Sequence, residues 1–246
     1  MLDSLKTLRW LLVAALPCLA FQCGDGPEPP CDGRYQGGLS LRPASLTWLP
    51  ASAPDSLRFV NSNGFRAVLD RVRTPIADSV VLPAYARSFS SSDYSEEYLN
   101  PSYGPCGPYF RARRVGTQYQ GRNVNINLRF NLFKNLDAVP ALGSGQVPLT
   151  RAVADTLSDV VVLAFNQQHV AQFPVVRAPY RQPRFVGTGE VVYRDSVQLA
   201  GRTFRGVYQF SHRPAGAAIQ PQRLYFRPGQ GLVGFTYTNN EQWARL

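Results

Sequence analysis

Lysine is almost absent from this 246-residue chain: Lys6 and Lys134 are the only two. Histidine is as scarce, with His169 and His212 alone, and there are four cysteines. These shortages narrow the chemistry. The cysteines and histidines do not fall at zinc-ligand spacing, so no metal site is expected. No Walker loop, dinucleotide-binding glycine fingerprint or His-Glu-x-x-His run occurs, which removes the usual footing for nucleotide and zinc-protease chemistry. A Gly-x-Ser-x-Gly elbow is missing too; Gly143-Ser144-Gly145 reads as a flexible turn. No cofactor is implied. No apolar run reaches the roughly twenty residues that a membrane-spanning helix needs.

What is present begins with arginine. The formal net charge is +10, and a basic surface favours polyanions. The arginines are scattered, however, and Arg111, Arg113 and Arg114 form the densest cluster. Without a recognition helix or an aromatic RNA-binding motif, nucleic acid is not an expected partner. The hydrophobic fraction of 44% fits a folded chain rather than a disordered one. The length suits one β sandwich or barrel, or two small lobes.

Residues 1–22 have the layout of a signal peptide. Lys6 and Arg9 give positive charge, Trp10 to Leu16 is wholly apolar, and small or turn residues follow. Two cleavage schemes are open. Cys18-Leu19-Ala20 offers an ordinary site after Ala20. Leu19-Ala20-Phe21-Gln22-Cys23 offers a lipobox, with Cys23 as the acylated first residue, anchoring the chain to a membrane. Gly24 to Pro30 is polar and proline-rich, as a tether would be, and residues 23–45 read as such a tether. Cys31 and Cys106 then remain as an even pair for an oxidising compartment. A bridge between them would join the tether to the loop Tyr103–Pro108, worth about 4 kcal/mol in the chain-entropy model. The alternative is two buried free thiols.

The rest, residues 46–246, reads as a single β-rich domain. Its clearest stretch is the last sixty residues. Glu190–Leu199 and Arg202–Ser211 form one hairpin, Gln222–Arg227 and Gly231–Tyr237 a second. Phe204, Tyr208 and Phe210 are placed on one face of an alternating strand, with Thr203, Arg205, Val207 and Gln209 on the other. Upstream, Leu46-Thr47-Trp48-Leu49 reads as a first edge strand. Ser56–Val60 and Phe65–Leu69 flank Asn63-Gly64, a strong hairpin signal. Tyr109–Tyr119 and Asn123–Phe133 read as two strands. In the second, Val124, Ile126, Leu128, Phe130 and Leu132 alternate with polar residues, giving a dry face and a wet one. Thr150 to Leu157 is a short helical possibility, and Asp159–Phe165 with His169–Val176 a further hairpin. The fold expected is all-β: about 10–12 antiparallel strands in meander order, as a sandwich or partly closed barrel.

Candidate chemistry is thin. His169 and His212 lie at strand ends, and Glu96-Glu97 in a long loop, so no catalytic residue is assigned. The aromatics Tyr94, Tyr98, Tyr103 and Tyr109 fall in or beside a polar loop, where they either pack the loop down onto the sheet or form a stacking platform for sugars or a lid over an apolar pocket. The lipobox, the tether and the β-rich remainder, with Gly201-Arg202-Thr203-Phe204-Arg205-Gly206-Val207-Tyr208 and Gly231-Leu232-Val233-Gly234-Phe235, resemble the uncharacterised envelope lipoproteins common in Bacteroidota. Asp55-Ser56-Leu57, Asp78-Ser79-Val80, Asp155-Thr156-Leu157 and Asp195-Ser196-Val197 look like the O-glycosylation acceptors of exported proteins from that group. The resemblance implies a cell-envelope setting and brings no catalytic residues. The expectation is an exported, lipid-anchored protein with a non-enzymatic binding or structural role, its partner a protein, glycan or lipid of the envelope. The alternatives are a soluble secreted protein, an envelope hydrolase, and a lipid or glycan carrier.

Overall fold

Alternation of apolar and polar side chains builds most of this architecture. The computed structural model describes residues 34–50, 54–72, 79–83, 85–86, 109–134, 147–148, 150–166, 169–176, 179, 181–186, 189–212 and 218–246. The strands in chain order begin with β1 (Tyr35–Leu39), β2 (Ser56–Asn61), β3 (Arg66–Val72), β4 (Ser79–Pro83), β5 (Tyr85–Ala86) and β6 (Tyr109–Arg113). Next come β7 (Val115–Gly121), β8 (Asn127–Lys134), β9 (Val147–Pro148), β10 (Asp159–Phe165) and β11 (His169–Pro174). The chain then runs through β12 (Arg184–Val186), β13 (Gly189–Leu199), β14 (Arg202–Ser211), β15 (Pro221–Arg227), β16 (Gly231–Tyr237) and β17 (Gln242–Arg245). Two short helices, α1 (Pro43–Leu46) and α2 (Arg151–Thr156), interrupt them. The fold is all-β, as the pattern predicts.

A 12-stranded sheet dominates, in the order β11-β10-β8-β7-β3-β2-β17-β16-β15-β14-β13-β12. Every pairing within it is antiparallel. It is two meanders, β2 to β11 and β12 to β17, joined where β17 pairs with β2 through Trp243 opposite Asn61 and Arg245 opposite Phe59. The sheet curls into a half-barrel, bringing β11 against β14 and β15. Phe173 thus stacks on Phe226 at 4.8 Å between ring centroids, and Phe165 meets Phe235 edge-on at 5.1 Å.

The concave side is a packed core. Phe59, Leu69, Leu128, Phe130, Leu163, Phe165, Phe173, Phe226, Leu232 and Phe235 are all buried there. Such density is typical of a protein interior. Trp48 closes it at one place, lying 5.1 Å from Tyr208 and stacked 6.2 Å from Phe226.

A second apolar cluster lies on the other side of the C-terminal strands: Leu199, Val207, Tyr225, Val233 and Ala244, with Phe204 against them. Its cause is the long β13–β14 hairpin. β14 pairs with β15 only over Tyr208–Ser211, and Gly206 takes φ +67, a conformation that glycine adopts freely. Beyond it the arm folds over β16 and β17, its tip held where Ala200 N donates to Gln242 Oε1 at 3.1 Å. Outward space for both Val233 and Gly234 comes from a register shift opposite Tyr225 and Phe226, the signature of a β-bulge. Phe204 consequently packs with Val207, while Tyr208 and Phe210 face the main core. The strict alternation expected along β14 breaks at Gly206.

The structure corrects other expectations. The folded unit runs from Gly33 to Leu246, so the tether read over 23–45 is cut short by β1 and α1. β1 pairs with β6 in parallel, within a small sheet ordered β1-β6-β4, a departure from an all-antiparallel meander. The stretch Leu46–Leu49 is not an edge strand; Pro43 sits in the first turn of α1, where its fixed φ suits a helix, and the turn delivers Trp48 inward. Tyr109–Tyr119 is two strands, split at Arg114 between the small sheet and the large one. The supposed wet face of β8 is dry at its end, where Asn131 is 3% exposed and Phe133 1%.

Candidate functional site

Of the residues singled out from sequence for chemistry, Tyr109, His169 and His212 lie among the described residues. Cys23, Cys31, Cys106, Tyr94, Tyr98, Tyr103, Glu96 and Glu97 lie outside the described residues. Tyr109 is half-buried at the start of β6, paired in register with Tyr35, their rings 5.7 Å apart. Tyr35, 55% exposed, is an aromatic neighbour that sequence alone did not connect to it. His169 opens β11 opposite Phe165. His212 follows β14, its backbone N–H donating to Gln222 O at 3.2 Å and its ring 6.2 Å from Phe210. Among the described residues, no three His, Cys, Asp or Glu side chains could hold a metal together.

One buried charged cluster has the ingredients of chemistry. Lys134 Nζ lies 3.0 Å from Asp159 Oδ1, with side chains 5% and 0% exposed. The geometry is that of an ion pair, since Oδ1 accepts no well-angled hydrogen bond. Asp159 Oδ2 accepts from Ser45 Oγ at 2.5 Å and from Arg42 N at 2.9 Å. Lys134 also donates to Leu157 O at 3.3 Å. Serine, lysine and aspartate together can form an activated nucleophile, but Ser45 is 1% exposed. The cluster fastens α1 to β8 and β10, each carboxylate oxygen already occupied.

An open groove offers more. It has a volume of about 540 Å³ and is lined by Pro50, Pro54, Arg202, Phe204, Gln230 and Arg245, with Gly229 and Leu246. Four features of the fold bring these residues together. Trp48 O accepts from Gly229 N at 3.1 Å, which seats the β15–β16 turn beside the segment holding Pro50. Leu246 N donates to Arg58 O at 2.8 Å, fixing the end of β17 against β2. The turn Ala200-Gly201, with φ +43 and +77, reverses the β13–β14 arm and places Arg202 at its tip. Phe204 follows, seated on the outer cluster.

The polar lining consists largely of donors. Arg245 Nη1 donates to Gln230 O, and Gln230 Oε1 accepts from Arg227 Nη1 at 3.2 Å. The Gln230 amide N–H groups are thereby left as that side chain's remaining polar atoms. Arg202 forms no ion pair among the described residues. Burial pulls the Arg245 guanidinium below its usual range, countered by the nearby Tyr119 phenol. Tyr119 is itself pushed up by burial, with the Thr117 hydroxyl and the charges of Arg71 and Arg245 pulling back and Asp55 adding a smaller upward push. Asp55, the acidic residue next to Pro54, has contacts of its own.

Sequence reasoning missed this groove because its walls come from turns far apart in the chain. The only signal in the sequence was the general excess of arginine. Comparison with protein-family models, with curated proteins and with solved structures gives no match to this chain.

Proposed function

We propose that this chain is an exported, lipid-anchored cell-envelope protein whose folded unit serves a non-enzymatic binding role. The observation that carries the anchoring half is the order of its N-terminus: a basic and apolar leader, a lipobox ending at Cys23, and a polar stretch before the folded unit opens at Gly33. Acylation of Cys23 would hold the fold at a membrane surface by its leading end. One acyl chain gives only marginal attachment, whereas a diacylglyceryl group supplies the two chains that stable anchoring requires.

Support for surface binding comes from the barrel interior. Aromatic side chains fill the described core and Trp48 packs against it, which favours a binding surface over an internal carrier site.

The intact mass of the mature protein, taken from the membrane fraction of its own host, tests the proposal. The expected mass begins at Cys23, carries a diacylglyceryl group, and lacks two hydrogens for a Cys31–Cys106 bridge. A soluble protein beginning at Phe21 would overturn the anchor and leave a diffusible secreted protein.

A further inference from the structure

We infer that the groove between Arg202 and Arg245 is a binding site for an oxyanion, a carboxylate or phosphate, on a ligand whose body lies against Phe204 and Pro50. The inference rests on the binding role proposed above but does not depend on the anchor. It names the chemistry that role would use.

Arg202 is exposed at the tip of the folded-back arm and has no ion-pair partner among the described residues. Arg245 is half-buried and uses Nη1 on the Gln230 carbonyl, which leaves further guanidinium N–H groups. Gln230 adds its amide donors, its oxygen being engaged by Arg227. No lining residue has a carboxylate side chain. Side-chain donors lining one open groove, with two positive charges and no carboxylate side chain to match, favour a ligand group that only accepts. Carboxylates and phosphates suit paired guanidinium forks because both can accept two parallel N–H bonds. Phe204 and the prolines add apolar wall on which the carrier of that group, such as a sugar ring, can rest.

The site is also held in place. Ala200 N bonds Gln242 Oε1, and Leu199 seats on Gly234, so the tip carrying Arg202 is fixed to the strand that carries Arg245. A ligand therefore meets a backbone frame already in place, which reduces part of the ordering cost of binding.

The test is a calorimetric titration of the full mature chain, in detergent, at physiological salt. The probes are an oligogalacturonate, a neutral oligosaccharide of equal length, and inorganic phosphate alone. Expected is binding of the uronate and none of the neutral oligomer, with Arg202→Gln and Arg245→Gln each weakening it about tenfold to hundredfold, as loss of a charge-assisted contact does. Phosphate that binds and displaces the uronate identifies the oxyanion alone as the recognised group; uronate binding that phosphate does not displace assigns recognition to the acidic sugar. Arg111→Gln removes the same charge from β6, outside this groove. Equal weakening in Arg111→Gln and Arg202→Gln overturns the site, because the net charge of +10 would then account for binding. Absence of binding to both anionic probes, or equal binding of the neutral oligomer, overturns it as well. Arg202 is exposed, so its variant reports even if Arg245→Gln does not fold. A failed titration leaves the mass measurement untouched, so the two proposals fall separately.

Discussion

Leu199 occupies the space above Gly234: a Cβ built on that glycine would sit 2.5 Å from Leu199 Cδ1 and 2.4 Å from Trp243 O. The glycine thus lets the β13–β14 arm lie flat on the sheet. Gly234→Ala is expected to cost about 1–3 kcal/mol, the usual range for an overpacked site, read by urea unfolding. Adding Leu199→Ala relieves only part of it, because the Trp243 carbonyl is backbone and cannot swing aside. A Gly234→Ala protein as stable as the parent would show that the arm does not rest there.

Breaking the buried pair should be costlier than anything at the surface. Lys134→Met leaves Asp159 charged and buried, with an expected loss of about 3–5 kcal/mol. Replacing both partners with apolar residues of similar size should recover a good part of that loss, although Ser45 and Arg42 N then lose an acceptor. By contrast, Arg122→Ala should change stability far less than Lys134→Met, since its 2.8 Å contact with Asp70 is exposed and such pairs contribute little.

Alkaline pH probes the core tyrosines. Burial, with the nearby Tyr193 phenol adding to it, pushes Tyr208 up to about 12; burial, with the Glu241 charge adding to it, pushes Tyr237 up to about 12. Both are protonated in folded and unfolded chains below pH 10, so that part of the stability is fully present there. As pH rises above 10 the unfolded chain releases these protons first, and stability falls until the folded phenols ionise near 12. Ultraviolet difference titration should show some tyrosines ionising near 10 and others only with unfolding. A single transition at 10 for every tyrosine would contradict the packing around Tyr208 and Tyr237.

Trp48→Ala removes the indole from between Tyr208 and Phe226. The expected cost is about 3–5 kcal/mol, as for other buried aromatics, measured by chemical denaturation. In a chain beginning at Cys23, which lacks Trp10, the two tryptophans Trp48 and Trp243 are only 7% and 5% exposed, so acrylamide should quench their emission weakly. Strong quenching that disappears in Trp48→Ala would place Trp48 outside the core.

Local pattern was legible; long-range assembly was not. Asn63-Gly64 marks a true reversal, although only Gly64 takes a positive φ, and Asn61 Oδ1 supports the turn by accepting from Asn63 N and Phe65 N. The hairpins of β13 to β16 and the buried run of β10 also follow from alternation, β-branching and turn residues. Pattern could not say that Arg114 passes from one sheet to another, because the residues on either side both read as strand. It could not give Trp48 its place, since an apolar tetrapeptide is equally at home in an edge strand or at a helix end. It placed Phe204 on the wrong face because the glycine that turns the strand, Gly206, also looks like an ordinary strand residue. The groove combines all these failures, its walls set by how distant turns dock.

The joint between β2 and β17 has a consequence for how the molecule comes into being. Asn61 Nδ2 donates to Glu241 Oε1 at 2.7 Å across 180 residues of chain. Until residues 242–245 are available, the two meanders are separate ribbons, one ending in the bare edge of β2 and the other in that of β16. Open edges invite pairing with other chains, and so distant a closure is slow to find. The nascent chain therefore has no finished sheet to lock into until residues 242–245 have been synthesised.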